Sequence, residues 1–557
     1  MNIKILNLLN NNIFTLSLCL IIGFTLGFVY RFETFWDLLN YHYYNAFAFL
    51  HNRLNYDIVL GGENSFFNPL PDLPLYWMIQ HLNDYPGIIY GVQGLYYGVC
   101  LFFFIKICGL FWDNHTWSGI ITTVIATAVA ATGQAIWMQM GTATNEIQVT
   151  TFILAGLYLL FKITFRPDLQ KGYKFLIVGL LMGFALGLKP TVVSYCLGAG
   201  LTSVIFYKKL NKPLPYILLF AVGGLLGYLL SNGWFMWHYW EWYQNPFFPF
   251  ANSIFKSEYY DNANFRDTQF LPSLKLFFVY PYIWNLFKFK IVECSFYDIR
   301  LTVYYTIFLL TIFSFLFSKK ARLFFKTNYK WGVYFTSLSV TFFIWMALFS
   351  ILRYIIVVEM LGCMVICRLV VKWCFEWFND CTGKYKIFKI AGCVIGIFLI
   401  TIFVSLPANK LDDEINSSEK FLEIENFNFP DNSVIRVYNA PTSLYIAEWA
   451  KKNKIRAVGF VLSFGRDFVN EGKFKQIREA ALNEYSGPDI LVYRAFHLNP
   501  NYPNRNKPNV LLTEKVEREI LEKNLYCRDI KSNLSAQKLA AKICVPQELK
   551  KQILGDD

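Results

Sequence analysis

The chain has 557 residues, of which 55% are hydrophobic, 19% aromatic and only 16% charged. So apolar a composition exceeds what a soluble domain of this length needs to fill its core, and it points to a multi-pass membrane protein. The net charge of +13 comes from Lys and Arg scattered over short turns rather than gathered in one stripe, which argues against a nucleic-acid partner.

The first apolar run, Asn12 to Tyr30, is about the length that crosses a bilayer core as a helix. No small-residue cleavage site separates it from Arg31-Phe32-Glu33, so it reads as a retained helix and not a removed signal peptide. Comparable runs bounded by charge or proline follow at 86–105, 117–139, 149–164, 174–188, 190–207, 213–233, 301–318, 331–350, 354–371 and 388–406. The predicted fold class is therefore an all-α polytopic membrane bundle of about eleven transmembrane helices, with a C-terminal extracytoplasmic α/β domain. Residues 1–406 form the membrane part, with long outer loops at 31–85 and 234–300, and residues 407–557 form the appended domain.

Orientation follows from the positive residues, which concentrate in cytoplasmic loops. Lys162, Arg166, Lys171 and Lys174 share one connection, and Lys208, Lys209 and Lys212 the next. Lys319, Lys320, Arg322, Lys326 and Lys330 fill a third, and Arg368, Lys372, Lys384, Lys386 and Lys389 a fourth. These four are expected inside. The loop 31–85 carries Glu33, Asp37, Asp57, Glu63, Asp72 and Asp84 against Arg31 and Arg53, and is expected outside. The expected location is a cell membrane, of the bacterial inner-membrane kind, with the N-terminus cytoplasmic and everything after Leu406 extracytoplasmic.

Beyond Leu406 charged residues rise sharply. Ser433 to Tyr438 and Ile490 to Tyr493 have strand character, whereas Ser443 to Lys452 and Lys473 to Glu484 have helical periodicity. Ten of the twelve cysteines lie in or near the apolar part, where a thiol acts as a small hydrophobe. Cys527 and Cys544 fall in the expected oxidising compartment and can form a disulfide. No Cys/His spacing indicates structural zinc, and the absence of a phosphate-binding glycine loop or a serine elbow argues against nucleotide hydrolysis.

Three constellations carry candidate chemistry. The loop 31–85 holds Asp37 and His42, then Arg53, then the proline-rich Ser65-Phe-Phe-Asn-Pro-Leu-Pro-Asp-Leu-Pro-Leu-Tyr76. A carboxylate closely following a membrane helix is costly against lipid, so Asp37 is expected to face a cavity, where it could accept a proton from an attacking hydroxyl. The alternatives are an ordinary helix-flanking aspartate, or Glu33 in the same role from the same helical face. His42 and Arg53 are weaker candidates for substrate binding.

The second constellation is the outer turn Met140-Gly-Thr-Ala-Thr-Asn145-Glu146. Glu146 either shares acid and base duties with Asp37 or simply begins the next helix, where a carboxylate favours the dipole. The third comprises Lys189 in Gly187-Leu-Lys-Pro-Thr191 and Arg353 in Leu352-Arg-Tyr354, two cations expected on the outer side against the usual charge bias. An anionic ligand accounts for both; for Arg353 an ion pair with Glu359 is the structural alternative. The aromatic, proline-rich stretch Gln244 to Tyr260 reads as interfacial.

With these residues in view, the chain resembles the integral-membrane glycosyltransferases of the C superfamily, and in particular family-87-like bacterial membrane proteins. The resemblance rests on an acid shortly after the first helix, a second acid between the third and fourth helices, and an extracytoplasmic C-terminal domain. It also rests on Asn40-Tyr-His-Tyr-Tyr-Asn45, Phe67-Asn-Pro-Leu-Pro-Asp-Leu-Pro74, Gly187-Leu-Lys-Pro-Thr191 and Asn245-Pro-Phe-Phe-Pro249, and covers roughly 12–406. It implies transfer of a sugar from a polyprenyl-phosphate donor to a glycan, lipid or protein acceptor. Asp37 would then be the base and Glu146 the second acid, with Lys189 and Arg353 on the carrier phosphate. Asp37 stands between Trp36 and Leu38, so the paired first-loop acids of many members are not evident; a divalent metal is left open without a visible acidic pair to hold it, and no other cofactor is expected. The competing readings are a transporter or flippase for a lipid-linked or anionic solute, and a polymerase or ligase of lipid-linked glycans.

Overall fold

A computed structural model describes residues 11–31, 35–114, 116–260, 267–285, 291–292, 297–377, 392, 396, 419–439, 441–460, 472–484, 487–494, 507–533 and 541–555. The chain divides into two compact units, both discontinuous in sequence. The first comprises Met1–Phe32, Tyr90–Ser231 and Thr268–Ile415, and the second Glu33–Ile89, Asn232–Asp267 and Asn416–Asp557. By their contacts, the stretches expected as outer loops of the membrane part thus group largely with the C-terminal residues.

The first unit is helical. Among the described residues six helices are long and apolar enough to cross a membrane: Asn12–Tyr30, Pro86–Phe111, Glu146–Phe165, Pro213–Tyr243, Arg300–Phe317 and Tyr329–Leu348. Gly172–Leu188 and the segments 118–131 and 190–205 are apolar but shorter. Ile356–Trp377 has the length but carries Glu359, Arg368 and Lys372. The expected span 388–406 lies outside the described residues, apart from Gly392 and Gly396.

Small residues let these helices approach closely. The buried residues of Asn12–Tyr30 are Thr15, Cys19, Gly23 and Gly27, four apart on one face. A Cβ at Gly23 would lie 2.3 Å from the Gly94 carbonyl oxygen, and one at Gly98 would lie 2.4 Å from that of Cys19. This is the small-residue contact by which membrane helices gain van der Waals packing when no hydrophobic force separates them from lipid.

The expected span 117–139 is broken. Its helix ends at Ala131 and a separate turn runs over Gln134–Trp137. A Cβ on Gly133 would meet Glu359 Oε2 at 2.2 Å, and the Glu359 carboxylate accepts the Ala135 N–H at 3.1 Å and the Ile136 N–H at 3.4 Å. The side-chain acceptor satisfies amides that the interruption leaves without helical partners.

The second unit contains a five-stranded sheet of β1 (Val434–Tyr438), β2 (Arg456–Phe460), β3 (Asp489–Arg494), β4 (Leu525–Asp529) and β5 (Ala541–Pro546), in the order β2-β1-β3-β5-β4. β1 is parallel to β2 and β3, while β5 is antiparallel to β3 and β4. Cys527 and Cys544 face each other in the β4–β5 register and form a disulfide. The β2 edge is covered by residues from far earlier in the chain. The Ile58 N–H donates to Ala457 O at 3.0 Å, and the Gly459 N–H to Ile58 O at 2.7 Å. The approach requires glycine, because a Cβ on Gly459 would lie 2.2 Å from Val59 O.

Candidate functional site

In the first unit the structure brings Glu146, Lys189 and Arg353 together. Glu146 is the first residue of the helix Glu146–Phe165 and is 2% exposed, so the expected helix-start position and a charged cluster coincide. Lys189 Nζ lies 2.8 Å, and Arg353 Nε 3.3 Å, from Glu146 Oε1.

Local sequence places each cation. Lys189 precedes Pro190 and takes an extended conformation (φ −148°, ψ 116°), as steric conflict with the proline ring demands. It thereby ends the helix Gly172–Leu188. Arg353 sits in the 3-10 turn Leu352–Tyr354, which the Tyr195 hydroxyl holds by donating to Tyr354 O at 3.0 Å. The Tyr354 ring centroid lies 5.6 Å from Lys189 Nζ and 5.5 Å from Arg353 Cζ, within reach of cation–π attraction.

Among the described residues, one carboxylate thus draws two cations to it. The carboxylate side chain is 3% exposed, whereas those of Lys189 and Arg353 are 15% and 23% exposed, so the cations are the accessible members. Such a cluster suits an anion. The ion pair expected as the alternative for Arg353 is not its contact here: Glu359 is engaged by the Ala135 and Ile136 amides.

Asp37, His42 and Arg53 belong to the second unit. Asp37 closes the short helix Phe35–Asp37 and leads into a π-helical turn, Leu38–His42; it is buried, at 7% exposure. Glu33, its rival, lies outside the described residues. His42 is buried with Nδ1 2.6 Å from Asp72 Oδ1. Arg53 clamps Asp57 through Nε at 2.7 Å and Nη2 at 2.8 Å, and also donates to Ile455 O. In this structure His42 and Arg53 are both engaged by carboxylates of their own loop.

Sequence reasoning passed over Tyr354 and Tyr195, and also a second buried charged group in the first unit. Arg300 donates to Asp298 Oδ1 at 3.1 Å, to Val129 O at 2.8 Å and to Thr132 Oγ1 at 3.3 Å. Asp298 and Arg300 are 2% and 3% exposed. Ionisable residues beside or within apolar runs are the signal that finds such groups; the reach of Arg300 to Val129 and Thr132, far earlier in the chain, has none in a single sequence. No protein-family model and no curated protein matches the chain.

Proposed function

We propose that the protein is a membrane glycosyltransferase of the C-superfamily kind, moving a sugar from a polyprenyl-phosphate carrier to an acceptor on the extracytoplasmic side. The observation that carries this reading is the Lys189–Glu146–Arg353 cluster, whose two cations are more exposed than the carboxylate between them and suit a lipid-linked phosphate. Six long apolar helices offer the surroundings that a polyprenyl tail requires.

In the proposed reaction an acceptor hydroxyl attacks the anomeric carbon, and the bond from that carbon to the phosphate oxygen breaks with its electron pair. Lys189 and Arg353 neutralise the departing phosphate. A base takes the hydroxyl proton, the part that the family resemblance gives to Asp37, and a single displacement inverts the anomeric centre. Glu146, with cations on it, is better suited to hold Lys189 and Arg353 in place than to act as a second base. The topology completing this reading has about eleven spans, counting the shorter apolar helices and 388–406, with the N-terminus inside.

A transporter reading has one observation in its favour, the interrupted run at Ala131–Gln134 beside buried Glu359, because broken helices and intramembrane charge accompany transport sites. Binding of undecaprenyl phosphate to the purified protein tests the transferase reading. Lys189→Ala and Arg353→Ala are each expected to weaken it roughly 10- to 100-fold, as loss of a charged hydrogen bond does. Unchanged binding in both variants removes the phosphate site.

A further inference from the structure

The second unit encloses a cavity of about 180 Å³ that no part of the proposed chemistry uses. Its aromatic walls include Trp242, Tyr243 and Tyr259, and its polar groups include Asn55 and Ser65. Trp242 and Tyr259 are half-buried, Asn55 is exposed and Tyr243 is buried. The volume corresponds to roughly six waters and falls below that of a drug-sized pocket. It therefore accommodates one small ring rather than a chain.

The lining also selects the chemistry of that ring. Asp57 contributes a carboxylate, but that carboxylate is already satisfied. Arg53 neutralises it, the Tyr44 hydroxyl donates to it at 2.5 Å and the Ala457 N–H at 2.8 Å. No unbalanced charge remains for an ionic ligand. What the cavity offers is aromatic faces beside the Asn55 amide, whose Oδ1 accepts from the Tyr243 hydroxyl at 3.3 Å and whose NH2 can donate, and the Ser65 hydroxyl, which accepts from the Gly61 N–H and can still donate; this suits a neutral ring with apolar faces and an equator of hydroxyl groups.

The wall is also held in an unfavourable conformation. Val59 lines the cavity with φ +48°, a left-handed conformation exceptional for a β-branched residue. It is held by the pairing of Ile58 with β2 and by the space that Gly459 leaves beside Val59 O. Backbone held in such a region collects at ligand sites.

We propose that this cavity binds a single neutral sugar residue, as the recognition site for the terminal ring of the acceptor glycan. The acceptor role rests on the transferase reading, whereas sugar binding itself does not. Saturation-transfer NMR on the full-length protein in detergent, against free hexoses, deoxyhexoses, pentoses, N-acetylhexosamines and their disaccharides, tests it directly.

At least one sugar is expected to take up saturation, with affinity falling about tenfold in Trp242→Ala and in Asn55→Ala. Asn55 is exposed, so its variant keeps the test interpretable should removal of Trp242 disturb packing. No transfer to any sugar, or equal affinity in both cavity variants, overturns the proposal. Undecaprenyl phosphate binding measured on the same preparation separates the two claims: lipid binding without sugar binding defeats the cavity alone, and sugar binding without lipid binding defeats the transferase reading alone.

Discussion

Glu146→Gln isolates the electrostatics of the cluster, because glutamine keeps the shape of the side chain and removes its charge. The wild-type carboxylate holds Lys189 at 2.8 Å and Arg353 at 3.3 Å. Unit charges about 4 Å apart attract by about 4 kcal/mol at an effective dielectric near 20, and the contacts here are closer. Part of that attraction only offsets desolvation, and the cations, with side chains 15% and 23% exposed, recover some hydration when the carboxylate is lost. The expected destabilisation is thus about 2–3 kcal/mol, below the 3–5 kcal/mol typical of breaking a fully buried pair.

A double-mutant cycle of Glu146→Gln with Lys189→Met separates the pair from its surroundings, with an expected coupling of about 1–2 kcal/mol. Unfolding by a denaturing detergent titrated into mixed micelles, followed by tryptophan fluorescence, supplies the four stabilities. Additivity to within about 0.5 kcal/mol would refute the ion pair and the view of Glu146 as the residue that positions the cations.

Gly459→Ala should open the β2 edge, because the new Cβ would sit 2.2 Å from Val59 O; a cost of about 1–3 kcal/mol and faster hydrogen exchange at the Gly459 amide are expected. Reducing Cys527–Cys544, 17 residues apart, or replacing both by serine, should cost about 3 kcal/mol, read as a lower midpoint for unfolding of the second unit. Arg528 donates to Glu425 at 2.6 and 2.8 Å and holds its carboxyl below the usual glutamate range. A carboxyl depressed in the folded state binds protons more readily when unfolded. Its contribution is therefore full above the unfolded value of about 4.3 and fades as pH falls through the folded one. Glu425→Gln should accordingly flatten the acid limb of the stability profile and change little at pH 7 beyond a constant offset.

Much of the architecture is legible in the sequence because membrane helices and strands announce themselves by period and composition. Helices lie at the first ten of the expected runs, and β1, β3 and the helices Ser443–Ala450 and Gly472–Glu484 fall where alternation and helical periodicity put them. β2, the β4–β5 pair and the helix Lys507–Glu522 carry no such readable signal. The strand pattern of Leu525–Asp529 includes Arg528 and Asp529, which mask alternation. The break after Ala131 is invisible in the sequence because Glu359, which accepts the amides it exposes, comes 224 residues after Ala135. For the same reason the sequence flags Glu146, Lys189 and Arg353 singly as charges out of place, yet not that they meet. Their meeting is a matter of helix packing set by glycine contacts and a proline-terminated helix.

The most direct test of the account is transfer itself. Purified protein in liposomes would be supplied with a set of radiolabelled polyprenyl-phosphate sugars and an envelope glycan extract, with Asp37→Asn as the comparison. The account predicts that wild type transfers label from at least one donor, with inversion at the anomeric carbon, and that Asp37→Asn, present at equal amount and still binding undecaprenyl phosphate, transfers none. Label moved equally well by Asp37→Asn, or by neither protein from any donor, would contradict it.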